Sequence, residues 1–70
     1  MDVREPFKYN LYDEKISGKE FELITLKSFA DICKAYFKLS EKHIKAISIL
    51  LSDHFIGEAF DFNFFIEIFK

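Results

Sequence analysis

The side chains with the widest chemical range in this sequence are one cysteine, Cys33, and two histidines, His43 and His54. Thiolate and imidazole groups ligate zinc, and a thiol beside an imidazole can act as a nucleophile. Nine residues separate Cys33 from His43 and ten separate His43 from His54, a spacing that matches no usual zinc site. We therefore expect a buried structural cysteine, an exposed His43 and a loop-borne His54, with no metal, cofactor or catalytic residue.

No other motif in the sequence indicates an enzyme. The chain has only two glycines, Gly18 and Gly57, so it lacks a glycine-rich phosphate loop. A 70-residue chain buries only about 60% of its unfolded surface, which leaves little volume for a core together with a deep substrate pocket. The sequence predicts a protein that acts by binding.

The first half of the chain begins with two alternating segments. Residues 7–13 and residues 19–26 place apolar and polar side chains on opposite sides with a period of two, as half-buried strands do. Gly18 lies in the short connection between them and adopts a positive φ at low cost. The pattern predicts a β-hairpin.

The period then changes to that of helices. Ser28 and Asp31 form an S-x-x-D capping box before an apolar helical stripe, which consists of Phe29, Ile32, Cys33, Tyr36 and Phe37. Ser40 is a good N-cap for a second helix from Glu41 to about Leu51. This helix has two apolar stripes, one of Ile44, Ile47, Ser48 and Leu51 and one of Ala46, Ile49 and Leu50.

Residues 60–69, FDFNFFIEIF, alternate again and predict a third strand. The expected fold is therefore α+β with the order ββααβ, in which a three-stranded antiparallel sheet packs on a helix pair. The outward face of that sheet would carry polar and aromatic side chains, namely Lys8, Tyr12, Glu20, Glu22, Asp61, Phe65, Glu67 and Phe69.

Composition and the ends of the chain indicate one domain over residues 1–70, located in the cytoplasm. The single cysteine allows no intrachain disulfide, as is usual in a reducing compartment. The start MDVREPFKYN resembles no signal sequence, and no apolar run approaches the length of a membrane span. We expect no membrane association.

The stretch SFADICKAYFKLSEKHIKAI, residues 28–47, resembles the helix-turn-helix of bacterial regulators. The resemblance lies in Ser28 to Ile32 with Lys34 and Ala35, in the small Ala30 where the second helix approaches, and in Ser40, Ile44 and Ile47. It implies a DNA-binding regulator that uses Lys42, His43 and Lys45. The turn has Phe37 and Lys38 where that family usually has glycine, it is one residue longer, and the second helix has no Arg, Asn or Gln to read bases.

Charge distribution favours another class of function. Residues 27–52 carry +3, whereas residues 1–26 carry −2 and residues 53–70 carry −3. In size, composition and layout the chain also resembles small phage-encoded host-takeover proteins that mimic DNA and occupy a host DNA-binding protein, such as a histone-like nucleoid protein or a sliding clamp. Carboxylates two residues apart lie about 6.6 Å apart on one strand face. The residues expected to bind the partner are Asp13, Glu14, Glu20, Glu22, Glu58, Asp61 and Glu67.

An excess of aromatic residues predicts a homodimer. Ten phenylalanines in 70 residues offer more ring surface than so small a core hides. The expected contacts are the second stripe of the second helix and two rings of the last strand, that is, Ala46, Ile49, Leu50, Phe65 and Phe69. The preferred hypothesis is thus a dimeric acidic inhibitor of a host DNA-binding protein, and the alternative is a DNA-binding regulator.

Overall fold

The computed structural model describes residues 4–69, with Phe69 described in its backbone only. The fold is α+β, as expected. The strands are β1 (Tyr12–Ile16), β2 (Lys19–Thr25), β3 (Phe55–Ile56) and β4 (Ala59–Asp61). The α-helices are α1 (Leu26–Tyr36), α2 (Glu41–Leu50) and α3 (Phe62–Phe69), and two short 3-10 helices span Glu5–Asn10 and Ser52–His54.

The strands form one antiparallel sheet in the order β1-β2-β4-β3. The sheet within residues 4–69 has four strands and not the predicted three, because the connection after α2 contains β3. Gly57, at φ +67°, turns the chain from β3 into β4 and takes a conformation that costs a side-chain-bearing residue energy.

The hairpin predicted around Gly18 is confirmed, but its first strand begins later than expected. Ile16 pairs with Lys19, so the turn has two residues, and both Ser17 (φ +52°) and Gly18 (φ +80°) have the positive φ typical of a type I′ turn. Residues 7–10 belong to the first 3-10 helix and not to a strand. This 3-10 helix places Phe7, only 1% exposed, against the helices, and it removes Lys8 from the predicted sheet face.

Helix α1 begins earlier than the capping box predicts. Thr25 is its N-cap, and the Thr25 Oγ1 accepts a hydrogen bond of 3.2 Å from the Ser28 amide. Ser28 therefore lies inside the first turn and is not the cap. The predicted stripe is otherwise mostly buried through Phe29, Ile32 and Cys33, whereas Tyr36 is 63% exposed.

The bounds and the N-cap of helix α2 agree closely with the sequence prediction. Ser40 is the N-cap, and its Oγ accepts from the His43 amide. Ile44 and Leu51 of the first stripe are buried. The first stripe therefore faces the core.

The predicted strand over residues 60–69 is wrong beyond Asp61, where α3 begins. Phe62 and Phe65 are both buried, with exposures of 0% and 7%, and they are three residues apart. A helix places such a pair on one face, whereas a strand would place them on opposite faces. Packing of both rings into one core therefore outweighs the alternating pattern and the strand propensity of phenylalanine and isoleucine.

The core is centred on phenylalanine rings from four parts of the chain. Phe7 stacks on Phe29 at 5.4 Å between ring centroids and lies 5.1 Å from Phe62. Phe29 meets Phe60 and Phe65 edge-on, at 5.1 and 4.9 Å. Aromatic pairs of this kind add about 0.5–1.5 kcal/mol each beyond their area burial. The many phenylalanine rings are thus accommodated mainly inside the molecule, in this core.

Within residues 4–69, no helix combines the length and the apolar character needed to cross a bilayer.

Candidate nucleic-acid interface

Helix α2 lies on the surface of the fold for most of its length. Of its ten residues, only Ile44 is buried, and Ile47 and Ser48 are half-buried. The Ser40 cap stabilises its first turn by about 1 kcal/mol, and the buried Ile44 holds the helix on the core. A capped helix that projects from a core is well placed to contact a partner.

The three residues of the DNA-binding alternative, Lys42, His43 and Lys45, are all exposed in the first half of α2. The His43 ring is held close to the backbone, because its Nδ1 lies 3.0 Å from the Ser40 Oγ. The side chains of Lys42 and Lys45 enter no ion pair within residues 4–69. The exposed cations of α2 are therefore unneutralised by the part of the chain that the structure describes.

The turn from α1 to α2 is tight although it contains no glycine. Lys38 adopts φ +57°, the left-handed conformation that glycine takes easily. The Cys33 carbonyl closes the end of α1 by accepting from the Phe37 amide at 3.1 Å and from the Leu39 amide at 3.2 Å. An ion pair between Lys34 and Glu41 then joins the two helices across the turn. The unusual turn sequence is thus compatible with a tight connection.

A third lysine joins the two on α2 at an open groove between α1, α2 and the β3–β4 turn. Lys27, in the first turn of α1, lines this groove together with Lys42 and Lys45. Lys27 was not among the predicted site residues, because the S-x-x-D capping box predicts that α1 begins after Ser28. A correct N-cap at Thr25 is the signal that would have placed Lys27 on a helix beside α2.

The predicted acidic row is divided by the strand register. Asp13 pairs with Glu22 and Lys15 pairs with Glu20, so these four residues share one face of the sheet. Asp61 pairs with Leu23, one position away, and therefore lies on the opposite face. Arg4 forms an ion pair with Glu22, and Lys15 lies across the strands from Glu20, so this face carries cations as well as carboxylates.

The remaining acidic residues lie apart from that hairpin face. Glu14 is on the face opposite Asp13, and the Asp61 Oδ1 accepts a 3.0 Å hydrogen bond from the Asn63 amide at the start of α3. Glu67 is exposed on α3 and not on a strand. Glu58 lines the same groove as the three lysines. The seven predicted carboxylates therefore form no single row.

The predicted dimer residues also separate into different environments. Ile49 and Leu50 are 63% and 62% exposed, and Ala46 beside them is exposed as well. Phe65 is buried against Phe29 and Phe62, so its assignment as a surface contact is wrong. The side chain of Phe69 lies outside the described residues. Of the predicted dimer contacts that the structure describes, those of the α2 stripe offer exposed apolar surface to a second copy.

The cysteine and histidines lie in unrelated settings. Cys33 is 2% exposed in the core, and burial raises the pKa of its thiol to about 11 from an ordinary value of 9.0. The ring of His54 stacks on Phe64, with centroids 3.5 Å apart. No group of three or more His, Cys, Asp or Glu side chains within residues 4–69 is arranged to hold a metal ion. The predicted buried position of Cys33 is confirmed.

No protein-family model, curated protein or solved structure matches this chain.

Proposed function

We propose that this protein binds duplex DNA through the exposed side of α2, with Lys42 and Lys45 on α2 and Lys27 on α1 contacting the phosphate backbone. The observation that carries the proposal is the convergence of these three lysines, which have no ion-pair partner within residues 4–69, at one groove. Lysines that neutralise phosphates and release counterions supply most of the affinity of non-specific DNA binding.

The position of α2 supports DNA binding over the alternative function, inhibition of a host DNA-binding protein through acidic residues. A recognition helix inserts the first half of its exposed face into the major groove, and Lys42, His43 and Lys45 occupy that half of α2. Because α2 has no Arg, Asn or Gln, it lacks the side chains that make most bidentate base contacts. We therefore expect strong dependence on salt and a weak preference among sequences.

The net charge of −2 opposes approach to DNA from a distance. Charges separated by more than about 8 Å are largely screened at physiological ionic strength, so the charges nearest the DNA determine the contact. Next to the three lysines lie Glu41 and Glu58, and Glu41 is already paired with Lys34. The local balance at α2 is therefore positive.

Fluorescence anisotropy of a labelled duplex at low ionic strength tests the proposal. The wild-type chain should bind, and Lys42→Glu and Lys45→Glu should each weaken binding because each reverses the charge facing the phosphates. Lys15→Glu is the matched control, because Lys15 faces Glu20 in the hairpin and lies away from α2. Absence of wild-type binding at low salt, or equal loss in all three variants, would contradict the proposal.

The second candidate is the acidic inhibitor of a host DNA-binding protein, acting in host takeover as the phage resemblance implies. The observation that favours it is the exposure of Asp13, Glu14 and Glu20 on the hairpin. A displacement assay distinguishes the two functions: the inhibitor would release labelled DNA from a purified histone-like protein, and Asp13→Lys with Glu20→Lys would abolish release. A chain that binds the duplex itself and leaves the histone-like complex intact would exclude this candidate.

A further inference from the structure

The groove beside α2 has the size of a ligand site as well as a basic edge. Its volume is about 870 Å³, within the range of about 300–1,000 Å³ that small-molecule sites occupy. It opens between the N-terminal turn of α1, the exposed side of α2 and the β3–β4 turn. Phosphate contacts alone would use the lysines and leave the apolar part of this groove uncovered.

The groove has an apolar floor and a cationic edge. The apolar side chains that line it are Leu26, Ala30, Ile44 and Phe55, all of which belong to the hydrophobic core cluster or pack against it. Lys27, Lys42 and Lys45 are the exposed cations at its edge. A ligand that satisfies both parts needs an apolar body and a negative group.

Two carboxylates, those of Glu41 and Glu58, also line the groove. Glu41 is engaged by Lys34, which lies outside the groove lining. The Glu58 backbone carbonyl accepts a 3.0 Å hydrogen bond from the Leu26 amide, which fixes the β3–β4 turn against α1. Three lysines therefore face one carboxylate that has no ion-pair partner within residues 4–69, and the edge favours an anion.

We propose that this groove binds a small anionic amphiphile, a molecule with an unbranched or ring-shaped apolar body and a single acid group. The apolar body covers Leu26, Ala30 and Phe55, and the acid group lies among the three lysines. A medium-chain carboxylate such as decanoate has this chemistry and is the probe for the test. Burial of methylene groups contributes affinity, and the lysines select the sign of the charge.

Binding in the groove has a consequence for DNA that rests on the function proposed above. The acid group would occupy Lys42 and Lys45, so the ligand and the duplex would compete for the same cations. Decanoate should then raise the apparent dissociation constant for DNA by the factor 1 + c/Kd, where c is the free decanoate concentration and Kd is the dissociation constant of decanoate itself. If the protein binds no DNA, only this consequence fails, because binding of decanoate itself is measured without DNA.

Nuclear magnetic resonance titration of the 15N-labelled chain with decanoate, below its micelle concentration, locates the site. Amide shifts should concentrate at residues 25–30, 41–48 and 55–58. Decyltrimethylammonium, which has the same chain length and the opposite charge, should bind about tenfold more weakly. Equal affinity for the two surfactant ions, or shifts centred outside the groove, would overturn the proposal.

A matched pair of variants tests the apolar floor. Ala30→Leu fills the groove, whereas Ala35→Leu adds the same atoms to the exposed side of α1. Decanoate affinity should fall about tenfold in the first variant and stay unchanged in the second. Circular dichroism checks that both are folded.

If Ala30→Leu is not folded, Lys45→Gln replaces it, because Lys45 is exposed and its removal spares the core. The expected loss of decanoate affinity is then about threefold, the size of an exposed ion-pair contact. Unchanged affinity in Lys45→Gln, or in a folded Ala30→Leu, would exclude this groove as the site.

Discussion

Helices α2 and α3 have nearly the same length and opposite relations to the core. Helix α2 has ten residues, exposes Lys42 and Lys45 together with an apolar stripe, and buries only Ile44. Helix α3 has eight residues, almost all apolar, and places Phe62 and Phe65 in the ring cluster. The local sequence of α2, with its Ser40 cap and helical period, is sufficient to specify a helix. Contacts made elsewhere in the fold specify α3.

If α2 carries the proposed DNA contact, stability and binding depend on different helices. Residues of α3 that touch the core are unavailable to a partner, and residues of α2 that face outward contribute little to the core. Substitutions on α3 should therefore change the free energy of unfolding, and substitutions on the exposed side of α2 should change binding.

The largest effect is expected from Phe62→Ala. The ring is fully buried and contacts Phe7 and Phe65, so its removal should lower the free energy of unfolding by about 3–5 kcal/mol. Urea denaturation followed by circular dichroism measures the loss. Ile49→Ala on α2, where the side chain is 63% exposed, is the control and should cost less than about 0.5 kcal/mol. Comparable losses in the two variants would contradict the division.

The second prediction concerns the reactivity of Cys33, which lies in the core cluster with the α3 rings. Its pKa of about 11, raised by burial from 9.0, should lower the thiolate fraction at neutral pH about 100-fold. Alkylation by iodoacetamide should therefore be slow in the folded chain. Leu50→Cys in a Cys33→Ala background places a thiol on exposed α2 and should react at the ordinary rate.

The same pKa shift gives a pH dependence with a definite sign. The folded state disfavours the thiolate, so the contribution of Cys33 to stability is fully present below pH 9 and is lost as pH rises from 9 towards 11. Denaturation midpoints of the wild-type chain and Cys33→Ala should therefore approach each other over that interval. A constant difference between the two midpoints would contradict the assignment.

A smaller effect is expected at the cap of α2. Ser40→Ala removes the oxygen that accepts from the His43 amide and should cost about 1 kcal/mol. Ser40→Asp keeps an acceptor at the same place and should retain the stability of the wild-type chain. The measurement is again denaturant unfolding. Equal destabilisation by both substitutions would show that α2 does not depend on its cap.

The smallest effect, of opposite sign, is expected at Lys38. Glycine adopts the observed φ of +57° without the steric cost that lysine carries, so Lys38→Gly should stabilise the fold by up to about 1 kcal/mol. Its larger unfolded-state entropy offsets part of that gain. Ala35→Gly within α1 should instead destabilise by about 1 kcal/mol. Differential scanning calorimetry should show melting temperatures that move in opposite directions.

The elements specified by local signals were predictable from sequence. The Ser17–Gly18 hairpin, the apolar stripe of α1 and the Ser40 cap of α2 each rest on a few neighbouring residues, and the structure has all three. The class α+β follows from them. The exposure of Lys42, His43 and Lys45 was predictable for the same reason, since they lie opposite the first stripe of α2.

The elements specified by distant contacts were not predictable. The alternation in FDFNFFIEIF favours a strand, and only the positions of Phe7 and Phe29 explain why Phe62 and Phe65 must share a helical face. The 3-10 helix around Phe7 has the same cause. The predicted acidic row is wrong because of the strand register. Asp61 pairs with Leu23, so it lies on the sheet face opposite to the one that carries Glu22.

The central claim, that α2 contacts DNA phosphates, is tested most directly by the salt dependence of binding. The slope of log affinity against log salt reports the number of phosphates that the protein neutralises, at about 0.9 for each contact. A variant with both Lys42→Ala and Lys45→Ala should lose about two units of slope relative to the wild-type chain, whereas Lys8→Ala with Lys15→Ala should lose none. An unchanged slope in the α2 variant, or equal loss in both, would contradict the account.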